Sequence, residues 1–371
     1  MPLYLTEDQA MLRHSAREFM AAEGSVAKQL RKYRDMGCKD GFGHALWKQF
    51  GEMGFTGILV DEADGGLGLG HVEAGIVLEE IGRNLTPSPF LVTAVAVVEG
   101  LKGTALRQRW LPGILSGDTV AALAVDEGAK HRPEAIEMLA ERSGNGFRLT
   151  GRKQFVVQGV SADFTIVAAN TDEGLTLFVV EKEARGLSVE GVRLADSSIG
   201  ARMDFQGVEV DSDAVVGEPG EGWTILSRVL NAGRAGAASE MVGVASGAMD
   251  LTLDYLKQRR QFGKPIGEFQ VLQHRAAHLY SELEIARAAA LKAQQLLDEG
   301  SADAEAMVSV AKSKAGRVST LAVQEGVQMH GGIGMTDEYD IGLYMKRDRV
   351  LNELFGDANY HADRLARLKG Y

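Results

Sequence analysis

RRQFGKPIGEFQ, residues 259–270, is the stretch on which the reading of this chain turns. Gly263, Pro265 and Gly267 stop one helical pattern and allow a tight re-entry into the next. Arg259 carries a fixed fork of donors suited to phosphate oxygens, and Phe262 offers a flat apolar face. Taken by itself the dodecamer is equally a plain helix–helix connection with a solvated arginine. Its surroundings are more informative. Alanine-rich helical patterns run over roughly 223–258, 268–298, 303–329 and 338–369, divided by this turn, by DEGSAD (298–303) and by HGGIGMTDE (330–338). Four long helices with short connections predict an up-down bundle.

Upstream the period changes. FRLT (147–150), FVV (155–157), FTIVAA (164–169), LTLFVV (175–180) and MDFQGVEV (203–210) are short, rich in β-formers and separated by turn residues. That spacing predicts an antiparallel sandwich or barrel between about Val120 and Val216, with a bulge where the apolar alternation slips at Gly207. Further upstream the pattern is helical again. Thr6 and Gln9 form a capping box, and Leu12, Ala16, Phe19 and Met20 follow at helical spacing. Further helices are expected over about 45–53, in HVEAGIVLEEIGR (71–83) and over 107–115. The glycines at 65, 66, 68 and 70 do not fit GxGxxG and have no βαβ frame around them, so they are not a dinucleotide loop. The expected domains are therefore 1–118 (N-terminal, α-helical), 119–217 (middle, β) and 218–371 (C-terminal four-helix bundle).

The 371 residues suffice for two or three domains, and 45% hydrophobic with 25% charged residues is an ordinary globular composition. A net charge of -11 argues against nucleic acid or an anionic membrane as partner. The single cysteine, Cys38, excludes an internal disulfide and fits a reducing compartment. MPLYLTEDQAMLRHSAREF has neither a signal-peptide core nor a transit-peptide composition, and the apolar run from Val92 to Val98 is too short to cross a membrane. A cytoplasmic protein is expected. His274 and His278 are spaced i, i+4, but Arg275 replaces the glutamate of HExxH and no third ligand is evident, so no metal is expected.

The dodecamer resembles the flavin-contacting turn of the acyl-CoA dehydrogenases, and matches to that family recur from about Leu5 to Leu368. The resemblance implies an α domain, a β domain and a four-helix α domain around FAD. It also implies oxidation of an acyl-CoA to the 2-enoyl-CoA, with electron-transfer flavoprotein as acceptor. In the family a carboxylate removes the α-proton while the β-hydrogen leaves as hydride, and each FAD lies between two subunits. By resemblance Arg259, Gln261 and Phe262 meet the FAD diphosphate and ribityl region, and Gln270 the same cofactor. QMHGGIG (328–334) matches a second diphosphate stretch, which puts Gln328, Gly331 and Gly332 on FAD. Arg234 holds the family's arginine position, assigned here to substrate, and DEADGGLGLG (61–70) looks like the turn closing one end of the acyl pocket. KRD (346–348) matches a motif of the last bundle helix, with Arg347 and Asp348 either a surface salt bridge or catalytic.

The half that serves the chain's own flavin departs from the family. Val125-Asp126-Glu127 replaces a threonine-glutamate-proline, and no Gly-Ser-Asp follows in AVDEGAKHRPEAIEML (124–139). Phe155-Val156-Val157 replaces Trp-x-Thr, so a methyl group stands at Val157 where a hydroxyl is usual. Losing one such donor costs about 1–3 kcal/mol. Val125, Phe155 and Val157 are thus the expected flavin neighbours on this side. In RDRVLNELFGDANYH (347–361) the family glutamate falls on Gly356, and its alternative position on Gly233. Asp357 is then the candidate displaced base, or else a helix-surface or N-capping acid. The FGDANYH ending resembles subunits of bacterial dicarboxylic-acid and steroid side-chain pathways, some of which pair as α2β2 with one base-bearing chain type. Two functions follow: a dehydrogenase in its own right, or a partner subunit completing the FAD site of a homologous chain. The assembly is a homotetramer or an α2β2 heterotetramer.

Overall fold

The computed structural model describes residues 3–371. Helix α1 (Glu7–Ala22) begins as its sequence dictates: Thr6 Oγ1 accepts from Gln9 N at 3.2 Å and Gln9 Oε1 accepts from Thr6 N at 3.0 Å. There follow α2 (Lys32–Asp35), α3 (His44–Glu52), α4 (His71–Asn84), α5 (Val98–Leu101) and α6 (Arg107–Leu115). The apolar run expected to be too short for a membrane is the widely wound turn Phe90–Val97, every residue of which is buried. Among the described residues no helix is long and apolar enough to cross a membrane.

The strands are β1 (Ala121–Ala124), β2 (Leu139–Ser143), β3 (Gly146–Val157), β4 (Phe164–Thr171), β5 (Gly174–Glu181), β6 (Leu187–Arg193) and β7 (Ile199–Asp211). They form one seven-stranded sheet in the order β1-β4-β2-β3-β7-β6, with β5 on the remaining face of the β4 ladder. Most ladders are antiparallel, as expected. β1 runs parallel to β4, however, and β2 meets β4 in parallel at Leu139↔Asn170. The cause is the connection: β1 and β4 are separated by residues 125–163, which include β2 and β3, so no tight hairpin turn obliges them to pair antiparallel. FRLT and FVV are the two ends of a single strand, β3, whose register shifts between Lys153 and Val156, where Phe155 takes φ +54. The bulge expected at Gly207 is present. Leu149 pairs with Val208 and Thr150 with Gln206, leaving Gly207 unpaired at φ +67. Phe147, Phe178 and Phe205 fill the core of the sheet, the first two edge-on at 5.1 Å.

The C-terminal helices are α7 (Gly222–Gln258), α8 (Gln270–Asp298), α9 (Ala304–His330), α10 (Ile341–Glu353) and α11 (Ala358–Leu368). A minimal hairpin of β8 (Arg260–Gln261) and β9 (Lys264–Pro265) separates α7 from α8. The pattern over 338–369 reads as one helix but forms two. Phe355 at φ +60 and Gly356 at φ +99 break the run between α10 and α11. Small residues set how closely α4 and α7 approach: a Cβ on Gly243 would lie 2.0 Å from the Glu79 carbonyl oxygen.

The chain divides into two compact units. One takes the stretch ending at Arg31, His71–Thr86 and Arg234–Tyr371; the other takes Lys32–Gly70 and Pro87–Gly233.

Candidate active site

In the helical unit, the 259–270 stretch is a tight hairpin. Arg259 N donates to Tyr255 O (2.8 Å) at the end of α7, and Ile266 N donates to Arg259 O (2.8 Å) to close the turn. Phe262 sits at the tip at φ +52 and is 91% exposed, edge-on to Phe269. Arg259, Gln261 and Gln270 are exposed, and their side chains make no hydrogen bond among the described residues. The second stretch lies at the C-terminus of α9. Gln328, Gly331 and Gly332 are exposed, and a Cβ on either glycine would meet nothing within 4 Å. His330 joins the two stretches. It stacks on Tyr255 at 4.5 Å, and its Nδ1 lies 2.7 Å from Gly326 O. Burial pushes its imidazole below the usual histidine range.

This half suits the diphosphate side of a dinucleotide. Two glycines with open space beside them, one guanidinium, three carboxamides and an uncovered aromatic ring all face outward from one end of the helical unit.

In the β unit, Val125 is buried while Phe155 and Val157 are half-buried. The segment between them is closed by its own carboxylates. Glu127 accepts from Glu137 N (2.7 Å), Met138 N (3.1 Å) and Lys153 Nζ (2.6 Å), and Lys153 also donates to Val125 O (3.0 Å). Burial holds the Lys153 amine below the usual lysine range. Asp126 faces His131 Nδ1 at 2.9 Å, and its carbonyl accepts from Gln154 N (2.7 Å). The amides of 137 and 138 are therefore occupied, and what Val125, Phe155 and Val157 offer a flavin is an apolar wall.

Gly356, where the family's glutamate is expected to fall, lies at the break between α10 and α11, where three buried nitrogen-bearing side chains converge. Lys312 Nζ donates to Leu351 O (2.9 Å) and Gly356 O (3.0 Å), and full burial lowers its pKa to about 7. His361 Nε2 lies 3.0 Å from Phe355 O, and burial takes its pKa to about 2, so the ring is neutral with its proton on Nε2. Arg234 is 2% exposed and lies within 3.4 Å of Phe355 O, while its Nη2 donates to Tyr360 Oη at 3.1 Å. Burial brings its pKa down to about 10. Asp357 is the N-cap of α11, accepting from Asn359 N (3.0 Å) and Tyr360 N (2.8 Å). Gly356 has no room for a side chain, since a Cβ there would lie 2.3 Å from Tyr360 Cδ1. Gly233 is buried within α7.

Of the KRD pair, Arg347 is half-buried and Asp348 buried, and each has its own partner. Arg347 meets Glu240 at 2.5 Å, and buried Asp348 accepts from Thr320 Oγ1 (3.0 Å) and Asn352 Nδ2 (2.9 Å). Burial pushes the Asp348 carboxyl up. The pair belongs to an internal network joining α7, α9 and α10. His274 and His278 are exposed, and Arg275 between them pairs with Glu325 at 2.5 Å. Among the described residues no cluster of three His, Cys, Asp or Glu side chains could hold a metal ion.

Sequence reasoning missed Glu127, Lys153, Lys312, Tyr360 and His361. Lys312 lies inside the helical pattern of α9 and reads as a solvated position. Tyr360 lies four residues past Gly356 and would be a helical neighbour only if the helix were unbroken.

Known proteins agree with this architecture. The family models "Acyl-CoA dehydrogenase, N-terminal domain" and "Acyl-CoA dehydrogenase, C-terminal domain" match residues 6–118 and 220–369. The mitochondrial isovaleryl-CoA dehydrogenase of Solanum tuberosum is 33% identical over 83% of this chain and 78% of its own length. Among solved structures, the Tcur3481-Tcur3483 steroid ACAD is 30% identical at TM-score 0.90, covering 98% of both chains. A glutaryl-coenzyme A dehydrogenase in complex with glutaryl-CoA is 27% identical at TM-score 0.91, covering 100% of this chain and 98% of its own.

Proposed function

This chain belongs to the acyl-CoA dehydrogenase family, and we propose that it oxidises the α,β bond of an acyl-CoA thioester to the 2-enoyl-CoA with FAD. The observation that carries this reading is the outward-facing set of Arg259, Gln261, Phe262, Gln270, Gln328 and the open Gly331-Gly332 pair. These groups have the chemistry to hold a flavin dinucleotide by its diphosphate. Bound FAD supplies the acceptor for the β-hydrogen and its electron pair. The chain's own residues do the rest. Arg259 and the exposed carboxamides bind and orient the cofactor, and the side-chain-free Gly331-Gly332 pair lets it approach the backbone. Val125, Phe155 and Val157 present an apolar wall that excludes water. Arg234 fixes the shape of the 354–357 break near the substrate.

Because the cofactor-binding groups face outward, a subunit arrangement in which one chain grips FAD for its neighbour follows naturally. A homotetramer and an α2β2 heterotetramer with a homologous chain both satisfy it. Electron-transfer flavoprotein is the proposed acceptor, and the cytoplasm the proposed location, supported by the lone Cys38 and the acidic composition. The acyl group is proposed to be branched-chain or steroid-derived, on the strength of the isovaleryl-CoA and steroid relatives. Domains of 1–118, 119–217 and 218–371 are proposed, supported by strands that begin at Ala121 and end at Asp211.

The test is the visible spectrum of the chain purified alone. Flavin bands that bleach anaerobically with an acyl-CoA are the expected outcome. A colourless protein that takes up no added FAD would overturn the self-sufficient dehydrogenase and leave the partner-subunit function.

A further inference from the structure

The dehydrogenation proposed above needs a proton acceptor near the substrate α-carbon, and the break between α10 and α11 offers no free carboxylate for it. Gly356 takes φ +99, and any Cβ on it would lie 2.3, 2.9 and 3.0 Å from ring atoms of Tyr360. The volume that a residue-356 side chain would fill is therefore occupied by the phenol. Oδ1 of Asp357 is bound to two amides of α11, and Glu353 meets Arg349 at 3.3 Å. Tyr360 is the acidic group that stands in that volume. Its ring is half-buried, edge-on to His361 at 5.1 Å and under the Arg234 guanidinium at 5.6 Å. Its oxygen accepts a hydrogen bond from Arg234 Nη2 at 3.1 Å.

We propose that Tyr360, held and polarised by Arg234, is the proton acceptor of this chain's own active site, in the place of the family's glutamate. This assignment rests on the dehydrogenase reading. In the step, the phenolate oxygen of Tyr360 takes the α-proton and becomes a phenol. The α C–H electron pair becomes the α,β double bond, and the β-hydrogen leaves with its electron pair, for which bound FAD would supply the acceptor. Arg234 is the positioning residue: a buried cation touching the oxygen favours the phenolate over the phenol.

The charged and titratable groups facing Tyr360 from the packed elements leave this effect standing. Around Arg234 and His361, which the Tyr360 ring packs against, and Lys312 beside them, the charged and titratable groups are Glu305 from α9, Asp348 and Glu353 from α10, and Asp357 and Arg364 from α11. Glu305 is paired with Arg364, Asp348 accepts from Thr320 and Asn352, and His361 is neutral. A positive charge touches the phenol oxygen, Arg234 Nη2 at 3.1 Å.

The experiment uses the full chain, first without flavin and then loaded with FAD. In an ultraviolet difference titration, one tyrosine of the flavin-free chain should ionise below the remaining ones, and Tyr360→Phe should lose that early phenolate signal. In the loaded protein, Tyr360→Phe should keep its flavin content while anaerobic bleaching by acyl-CoA slows roughly 100-fold or more, the usual contribution of a general base. The wild-type bleaching rate should rise with pH as the phenol ionises, and the variant should lose that rise. Bleaching of Tyr360→Phe within a few-fold of wild type would overturn the proposal. So would removal of the step by Asp357→Asn in place of Tyr360→Phe. A wild-type chain that binds FAD but bleaches with no acyl-CoA overturns the dehydrogenase reading instead. In that case the titration still decides the state of Tyr360: an early phenolate supports its pairing with Arg234, and a late one ends the assignment.

Discussion

Gly356 meets two demands that no other residue meets together. Its φ of +99 is a conformation side chains rarely adopt, and the Tyr360 ring occupies the direction a Cβ would take. Gly356→Ala should therefore lower stability by about 1–3 kcal/mol in urea denaturation, with the slope of the transition unchanged. An unchanged midpoint would mean that the ring moves aside at no cost. Asp357 gives a complementary case, because its cap and its charge can be separated. Asp357→Ala should lose about 0.5–2 kcal/mol, whereas asparagine caps about as well as aspartate and should fold with wild-type stability. At this scale the sequence shows which residue types stand at 356 and 357, and capping is one of the two roles it leaves open for Asp357. It does not show the Tyr360 ring filling the direction of a Gly356 side chain, since that placement depends on the φ of +99 that Gly356 takes at the break.

The break itself is held from outside. The carbonyls of Leu351, Phe355 and Gly356 have no helical partner, and Lys312, His361 and Arg234 reach them from α9, α11 and α7. The buried Lys312 makes stability depend on pH. Its folded pKa of about 7 lies below the ordinary lysine value of 10.5, so between those values the unfolded chain binds the extra proton. Stability should thus rise with pH across that window, by at most about 1.4 kcal/mol per pH unit, with the full penalty present below it. Lys312→Met should flatten this rise in thermal melts taken between neutral and alkaline pH. A wild-type profile that falls across the window would contradict the assignment. The helices, the strands and the Gly207 bulge were legible because 3.6- and 2-residue periods record local burial. The break was not, because Leu354 and Phe355 continue the apolar stripe straight through it. The parallel β1–β4 ladder was hidden for a different reason: strand direction depends on where the connection through residues 125–163 lands, and composition carries no trace of that.

For the whole molecule, the stretches proposed to bind the cofactor are exposed on the chain that carries them. Arg259→Ala should weaken FAD binding roughly ten- to a hundredfold, the effect of losing about 1.5–3 kcal/mol of charge-assisted contact. Flavin absorbance per chain after gel filtration measures it, and full retention would place the diphosphate elsewhere. The turns that form these stretches were legible from short runs of residue types around Gly263 and Gly331, whereas the self-closed segment from Val125 to Met138 was not. Its Glu127–Lys153 bond joins residues far apart in the chain. The two compact units also interleave along the sequence, for the chain changes unit after Arg31, Gly70, Thr86 and Gly233. A protease that nicks a single loop therefore cannot release either unit intact. Separately expressed pieces 1–217 and 218–371 would each lack part of a core: the second would hold α7 to α11 without α1 and α4. Each piece alone should be poorly ordered, and mixing the two should restore the fold, as halves that reconstitute one another.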